Sequence, residues 1–282
     1  MQKIALVVDS LADLPPDVIA EHNIHTIPIR IRFGTDEYTD RVDLDTARFY
    51  LKLAAGGEFP KTSQPPPGDF IKLYESLLDE YDHILSLHIS SQLSGTYSTA
   101  VSAAERVSPS RITVVDTKSG GLAEGIIAVR AAELIEQGKS LEEVLSDIQT
   151  LVANRRIYIV FKSLDYIVKG GRLNAKVGSL LTKLKLMPLI TYKPDGSLGR
   201  AGIVKNNDQT IPKLIDRVIR ELGDRSPTEI GVMHAAALRE GKELQTALET
   251  AFPTARHMMT EIGPGIGSYA GPGTLAIVYF TQ

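Results

Sequence analysis

The sequence predicts an α/β protein, with a parallel, doubly wound sheet in its first half and a smaller α+β unit in its second. Three observations carry this. Continuous apolar runs such as "KIALVV" (3–8) and "HILSLHI" (83–89) lack the strict alternation of a one-sided strand and read as strands covered on both faces. Each is followed by a loop and a helical stretch, the order of a β-loop-α unit. Near residue 160 this rhythm gives way to closely spaced strands with a hairpin signal, which marks adjacent antiparallel strands.

Taken in order, the first strand leads into "DSLADLPPDVIAEHN" (9–23), a loop and then a helix opened by proline, whose fixed φ suits the first helical position. "HTIPIRI" (25–31) reads as a second strand, and "LDTARFYLKLAAGG" (44–57) as its helix, with Asp43 as candidate N-cap. The third strand, 83–89, enters the hydroxyl-rich turn "SSQLSGTYSTA" (90–100). "RITVVDT" (111–117) then leads into the apolar helix "LAEGIIAVRAAELIEQG" (122–138). The next stretch opens with Ser140-x-x-Glu143, a capping box. These strand-helix units define a first domain over 1–160. In the second domain, 161–282, "KPDGSLG" (193–199) is a hairpin turn between "MPLITY" and "RAGIVK". No Pro/Gly/Ser linker separates the halves, so they are expected to pack closely.

Composition narrows the function. The chain has 282 residues and a net charge of −3, which leaves no basic footprint for nucleic acid. The absence of cysteine excludes disulfides, thiol nucleophiles and cysteine-bound zinc. No apolar run approaches the roughly 18 residues of a membrane span. A cytoplasmic protein without stable membrane insertion is expected.

Several motifs fall short of catalytic or cofactor signatures. "GPGIGSYAGPG" (263–273) fits only the relaxed dinucleotide pattern through Gly265, Gly267 and Ala270, and too little chain follows for the helix, second strand and acid that the pattern requires. The segment is compatible both with a structural turn and with close backbone approach to a ligand. "QGKS" (137–140) lacks the upstream glycine of a P-loop. The histidines show no H-E-x-x-H spacing, and His22 with His25 reads as a helix end beside a strand. Ser94-Gly95 lacks the G-x-S-x-G elbow of a serine nucleophile. Asp9, Asp116 and Asp165 stand at strand ends or helix starts, where capping accounts for them. No metal, cofactor or catalytic residue is therefore expected.

Two hydroxyl loops remain. "KTSQPPPGDF" (61–70) sets Thr62 and Ser63 before a rigid proline run, and Ser90 to Tyr97 follows a parallel strand at its carboxyl end, where open α/β sheets bind ligands. Either loop alone is compatible with helix capping; together they can face one crevice and hold an anion.

The ordered motifs "VVDSLADLP", "TSQP", "SSQLSGTYSTA", "VVDTKSGGLAEG", "SLDYIVKGGRLN" and "IGPGIGSYAGPGTLAI" span nearly the whole chain and resemble the DegV family, the bacterial fatty-acid-binding proteins that include acyl-binding subunits of fatty acid kinase. The resemblance implies a Rossmann-like N-terminal domain, an α/β C-terminal domain, and a long-chain fatty acid lying between them or within a tunnel. It carries the carboxylate contacts onto Thr62, Ser63 and Ser94, beside Gly95 and the start of the following helix, and maps the Gly-Gly-Arg motif to Arg172. It also implies a partner kinase that phosphorylates the carboxylate, this chain being a non-catalytic, ligand-presenting subunit. A stand-alone fatty acid carrier, or an enzyme acting on a small polar substrate in the same crevice, are the alternatives. Where the family's terminal motif usually carries histidine this chain has Tyr269, which donates a neutral hydrogen bond and stays uncharged near pH 7. Lys205 replaces a typical arginine and loses its planar fork. The apolar stretches "GSLLTKLKLMPLI" (178–190) and "IYIVF" (157–161) are candidate tunnel walls or ordinary core. For a chain of about 16 carbons, burial at roughly 0.8 kcal/mol per methylene gives a gross gain above about 10 kcal/mol before ordering costs, so the tail dominates affinity and the head sets orientation.

Overall fold

A computed structural model describes residues 2–173, 187–205 and 207–281. Strand β1 (Ile4–Asp9) is buried along its whole length, as its unbroken apolar run requires. It lies between β2 (His25–Ile27) and the strand His83–His88, here β6, which in turn pairs with β7 (Ile112–Asp116); all these pairings are parallel, in the order β2-β1-β6-β7. On one face of the sheet Ala5, Val7 and Ile84 pack against Phe70 and Tyr74 of α3 (Pro67–Leu78) and the small residues Ala100 and Ala103 of α4 (Thr96–Val107). On the other, Leu6 and Val8 meet α5 (Leu122–Glu136), a helix buried nearly all round.

The stretch "HTIPIRI" departs from its expected role as one strand of a β-α unit. Pro28 has no N–H to give to a ladder, and the chain leaves the parallel sheet there. Arg30–Phe33 becomes β3, the centre of a separate antiparallel sheet with β4 (Asp36–Thr39) and β5 (Lys61–Ser63), in the order β4-β3-β5. The cap of α2 (Thr46–Ala55) is also corrected. Asp45, not Asp43, accepts the N–H of Arg48 at 2.7 Å, while Asp43 accepts that of Thr39 at 2.6 Å and closes the turn before the helix. At α6 (Leu141–Asn154) the expected capping box is present, with Ser140 and Glu143 each accepting the other's backbone N–H.

The second sheet has six strands in the order β10-β9-β8-β13-β11-β12, antiparallel except for the parallel β11–β12 pair. They are β8 (Arg155–Val160), β9 (Met187–Tyr192), β10 (Leu198–Val204), β11 (Glu229–His234), β12 (Arg256–Glu261) and β13 (Leu275–Phe280). β9 and β10 form the expected hairpin. Because β8 lies inside this sheet, sheet membership changes at Arg155, and the expected division at 160/161 falls behind β8 instead of before it. One sheet face carries Tyr158, Val160 and Val232 against Leu214 and Val218 of the helix Thr210–Leu222 and Leu244 and Leu248 of the helix Leu238–Ala251. The other face turns toward α5, which is sandwiched between the sheets and accounts for the absence of a flexible linker. Among the described residues no helix is long and apolar enough to cross a membrane.

Candidate functional site

Between the sheets lies a cavity of about 280 Å³. Its wall is built by strand periodicity. Ile157, Ile159 and then Phe161 line it from one face of β8, while Tyr158 and Val160 point into the opposite core. Leu11, Ile29, Ile89, Met233 and Ile262 complete an apolar interior. The expected wall "IYIVF" thus contributes its alternate residues. Of "GSLLTKLKLMPLI" only Met187–Ile190 falls within the described residues, and those four are not on the wall.

Every expected ligand-binding residue reaches this cavity: Thr62, Ser63, Ser94, Gly95, Arg172 and Tyr269 all line it. Each arrives from a different element. Thr62 and Ser63 end β5, an edge strand registered against Ile31 and Arg30 of β3. Ser94 and Gly95 precede α4, whose N-cap is Gly95 with no side-chain cap, so the helix presents backbone N–H groups at its positive end. Ser94 Oγ bonds Thr96 Oγ1 at 2.8 Å and accepts the Thr96 N–H at 3.3 Å, and Ser90 anchors the turn by donating to the Gly196 carbonyl at the β9–β10 hairpin tip, 2.9 Å away. Tyr269 sits on the short helix Pro264–Ala270, and Arg172 follows the helix Asp165–Lys169.

These side chains are coupled. The Tyr269 hydroxyl lies 2.5 Å from Thr62 Oγ1, and the Arg172 guanidinium stands 4.6 Å from the centroid of the Tyr269 ring, a cation–π arrangement. Arg172 is steadied by donating to the carbonyls of Leu93 and Gly170, at 2.7 to 3.2 Å. Those contacts use three of its five N–H donors, and among the described residues no hydrogen bond takes the other two. Gly170 lets the ring approach, since a Cβ there would lie 2.3 Å from Tyr269 Cδ1. Gln64 escaped selection although it stands in the TSQP motif: it lines the cavity, donates to Thr99 Oγ1 at 2.6 Å and lies against Gly95. Lys205 is exposed and lies off the cavity wall.

The glycine-rich terminal segment packs tightly behind this mouth. A Cβ on Gly265 would come within 2.3 Å of Leu11 Cδ2. Its anchor is a buried acidic group. Asp13 accepts from Arg41 at 2.6 Å and from the Gly263 N–H at 3.0 Å, yet burial outweighs both and raises its carboxyl to about 6. Asp40, which accepts from Ser10 Oγ at 2.7 Å, is raised by burial to about 7. Burial likewise pushes Glu124 of α5 well up. Asp9 caps the turn after β1 by accepting from Leu11 N and also bonds His88, in keeping with a capping aspartate. Among the described residues no group of three or more His, Asp or Glu is placed to hold a metal ion.

Comparison with known proteins adds the family. A family model described as an uncharacterised protein, DegV family, matches residues 3–282. A DegV domain-containing protein of Caldanaerobacter subterraneus is 33% identical over 279 residues, covering 99% of each chain. Among solved structures, one concerning fatty acid binding of a DegV family protein from Thermus thermophilus superposes with a TM-score of 0.91 at 31% identity, covering 99% of this chain and 100% of that one. DegV of Bacillus subtilis, described as a fatty acid binding protein, gives a TM-score of 0.91 at 29% identity over 100% of both chains.

Proposed function

The chain belongs to the DegV family, and from that premise we propose that it binds one long-chain fatty acid, tail in the inter-sheet cavity and carboxylate at the mouth. The observation that carries this reading is the division of the cavity: an apolar interior of branched side chains, and hydroxyls with one guanidinium gathered around the Thr62–Tyr269 pair. Water leaves the tail on binding, at roughly 0.8 kcal/mol per methylene, while the carboxylate keeps donors that a hydrocarbon wall could not supply. The Thr62–Tyr269 hydroxyl pair, Ser63, Ser94 and the N–H groups at Gly95 provide neutral donors, and Arg172 provides the charge. The relatives described as fatty acid binding support this assignment.

The finer reading is that the mouth presents the carboxylate to a partner kinase, which transfers a phosphoryl group from ATP to a carboxylate oxygen and releases ADP. The chain carries no P-loop or dinucleotide motif of its own, so the division of labour assigns it binding and orientation. A polar-substrate enzyme fits less well, because the interior offers such a substrate few partners.

Protein purified from a bacterial host, denatured and analysed by mass spectrometry should release a long-chain fatty acid in about one-to-one ratio, since burial of this size outlasts purification. Recovery of only a polar metabolite would overturn the lipid reading. Acyl phosphate should form when kinase and ATP are added and not with the isolated chain. Turnover by the chain alone would overturn the subunit role.

A further inference from the structure

At Tyr192 the wall between the cavity and a neighbouring cleft is one side chain thick. Along one face of β8, Phe161, Ile159 and Ile157 line the cavity in succession, and Arg155, next in the same alternation, lines a separate open cleft of about 650 Å³. Tyr192, at the end of β9, lines both, and among the described residues it is the one side chain common to the two linings. Within the cavity the Tyr192 hydroxyl reaches Gly120, where a Cβ would lie 3.5 Å from it and 2.9 Å from Ile89 Cδ1. Behind the ring the cleft has an apolar floor that includes Val115, Ile148 and Val152. Its rim is firm. The Arg155 guanidinium donates to the carbonyls of Lys118 and Lys193, at 2.7 to 3.2 Å, and ties the loop after β7 to the β9–β10 hairpin.

We propose that Tyr192 is the chain-length stop of the cavity: its ring ends the space open to an acyl chain, and the cleft behind it is where a longer chain would run if the ring were removed. The inference rests on the fatty-acid reading and goes beyond it by naming the residue that sets which chains fit. Tyr269, with Ile167 and Thr274, lines the cavity beside Phe161, so a chain whose carboxylate is held by the Thr62–Tyr269 pair points its methyl end along β8 toward Ile157 and the ring.

The test is displacement of a fluorescent fatty acid by palmitate, stearate, arachidate and behenate, on wild type and on Tyr192→Ala, Tyr192→Leu and Tyr192→Phe. In wild type, affinity should stop rising once the chain fills the cavity. Each methylene newly buried strengthens binding about fourfold, so Tyr192→Ala should raise the affinity for arachidate relative to stearate by about tenfold or more. Tyr192→Leu should move the ratio in the same direction by less, and keeps the test open if the alanine variant does not fold. Tyr192→Phe keeps the ring and should keep the wild-type cutoff. An unchanged ratio in alanine and leucine variants that still bind stearate overturns the stop and leaves the fatty-acid reading standing. Failure of wild type to bind any of the four acids overturns both.

Discussion

At the scale of single residues, the mouth turns on a tyrosine. Tyr269 holds Thr62 through its hydroxyl and carries Arg172 on its ring, so it positions a donor and a cation with one side chain. Tyr269→Phe removes only the hydroxyl and keeps the ring under Arg172. Fatty acid binding should weaken by about 1.5–3 kcal/mol, the net value of a hydrogen bond to a charged acceptor. Ser94→Ala, which leaves the apolar interior untouched, is the parallel variant. If both bind a fluorescent fatty acid as wild type does, the carboxylate does not sit at this mouth. Tyr269→His introduces a group that gains charge on acidification. A cationic guanidinium beside the ring disfavours a second positive charge, so binding should strengthen as pH falls below the usual imidazole value of about 6.5, not at it. Titrating a fluorescent fatty acid into the variant and into wild type at about pH 6 and about pH 8 checks this: the gain on acidification should be larger in the variant than in wild type.

At the scale of elements, what sequence reasoning could read depended on whether the signal was local. The capping box of α6 depends on two residues three apart, and the structure has both of its reciprocal bonds. Ser140→Ala should cost about 1 kcal/mol, measured as a lowered urea midpoint with unchanged slope, whereas Ser140→Asp should retain most of the stability. A changed slope would instead mean a changed unfolded or native compactness. The β9–β10 hairpin and the fully apolar strands were legible for the same reason. The β4-β3-β5 sheet was not: β4 ("DEYT") and β5 ("KTS") are short and polar, and only their pairing with β3 makes them strands. The split at Pro28 was visible in the residue itself, but "HTIPIRI" is apolar on both sides of it. β8 shows a different limit. Its alternation looks the same whether the facing space is core or cavity, so Ile157 and Ile159 could not be told from packing residues, and Tyr192 gave no signal at all. The mouth residues were legible through the ordered family motifs, because periodicity carries no information about which hydroxyl loops converge.

At the scale of the whole molecule, buried carboxyls join the two sheets' territories and make the joint sensitive to protons. Asp40 is nearly inaccessible, with Ser10 Oγ as donor to one oxygen and, among the described residues, no partner for the other. Burial raises its carboxyl to about 7, from an unfolded value of 3.8. Between those values the native state keeps a proton that the unfolded chain has released, so the native state binds more protons and stability falls as pH rises. The stabilising contribution is complete below the unfolded value and is lost as pH passes through about 7. Asp13, raised to about 6, adds the same sign in an overlapping window and lies at the contact with Gly263, where the terminal glycine segment meets the first domain. Asp40→Asn replaces the titrating group with a neutral isostere that can still accept from Ser10. Compared with wild type, the variant should therefore gain stability at about pH 8 relative to about pH 5, by an amount on the order of a few kcal/mol at most. Urea titrations of both proteins at the two pH values measure the difference directly. An equal wild-type-to-variant gap at both would mean that Asp40 does not take up a proton on folding, and would return the acid-side stability of the fold to Asp13 and Glu124 alone.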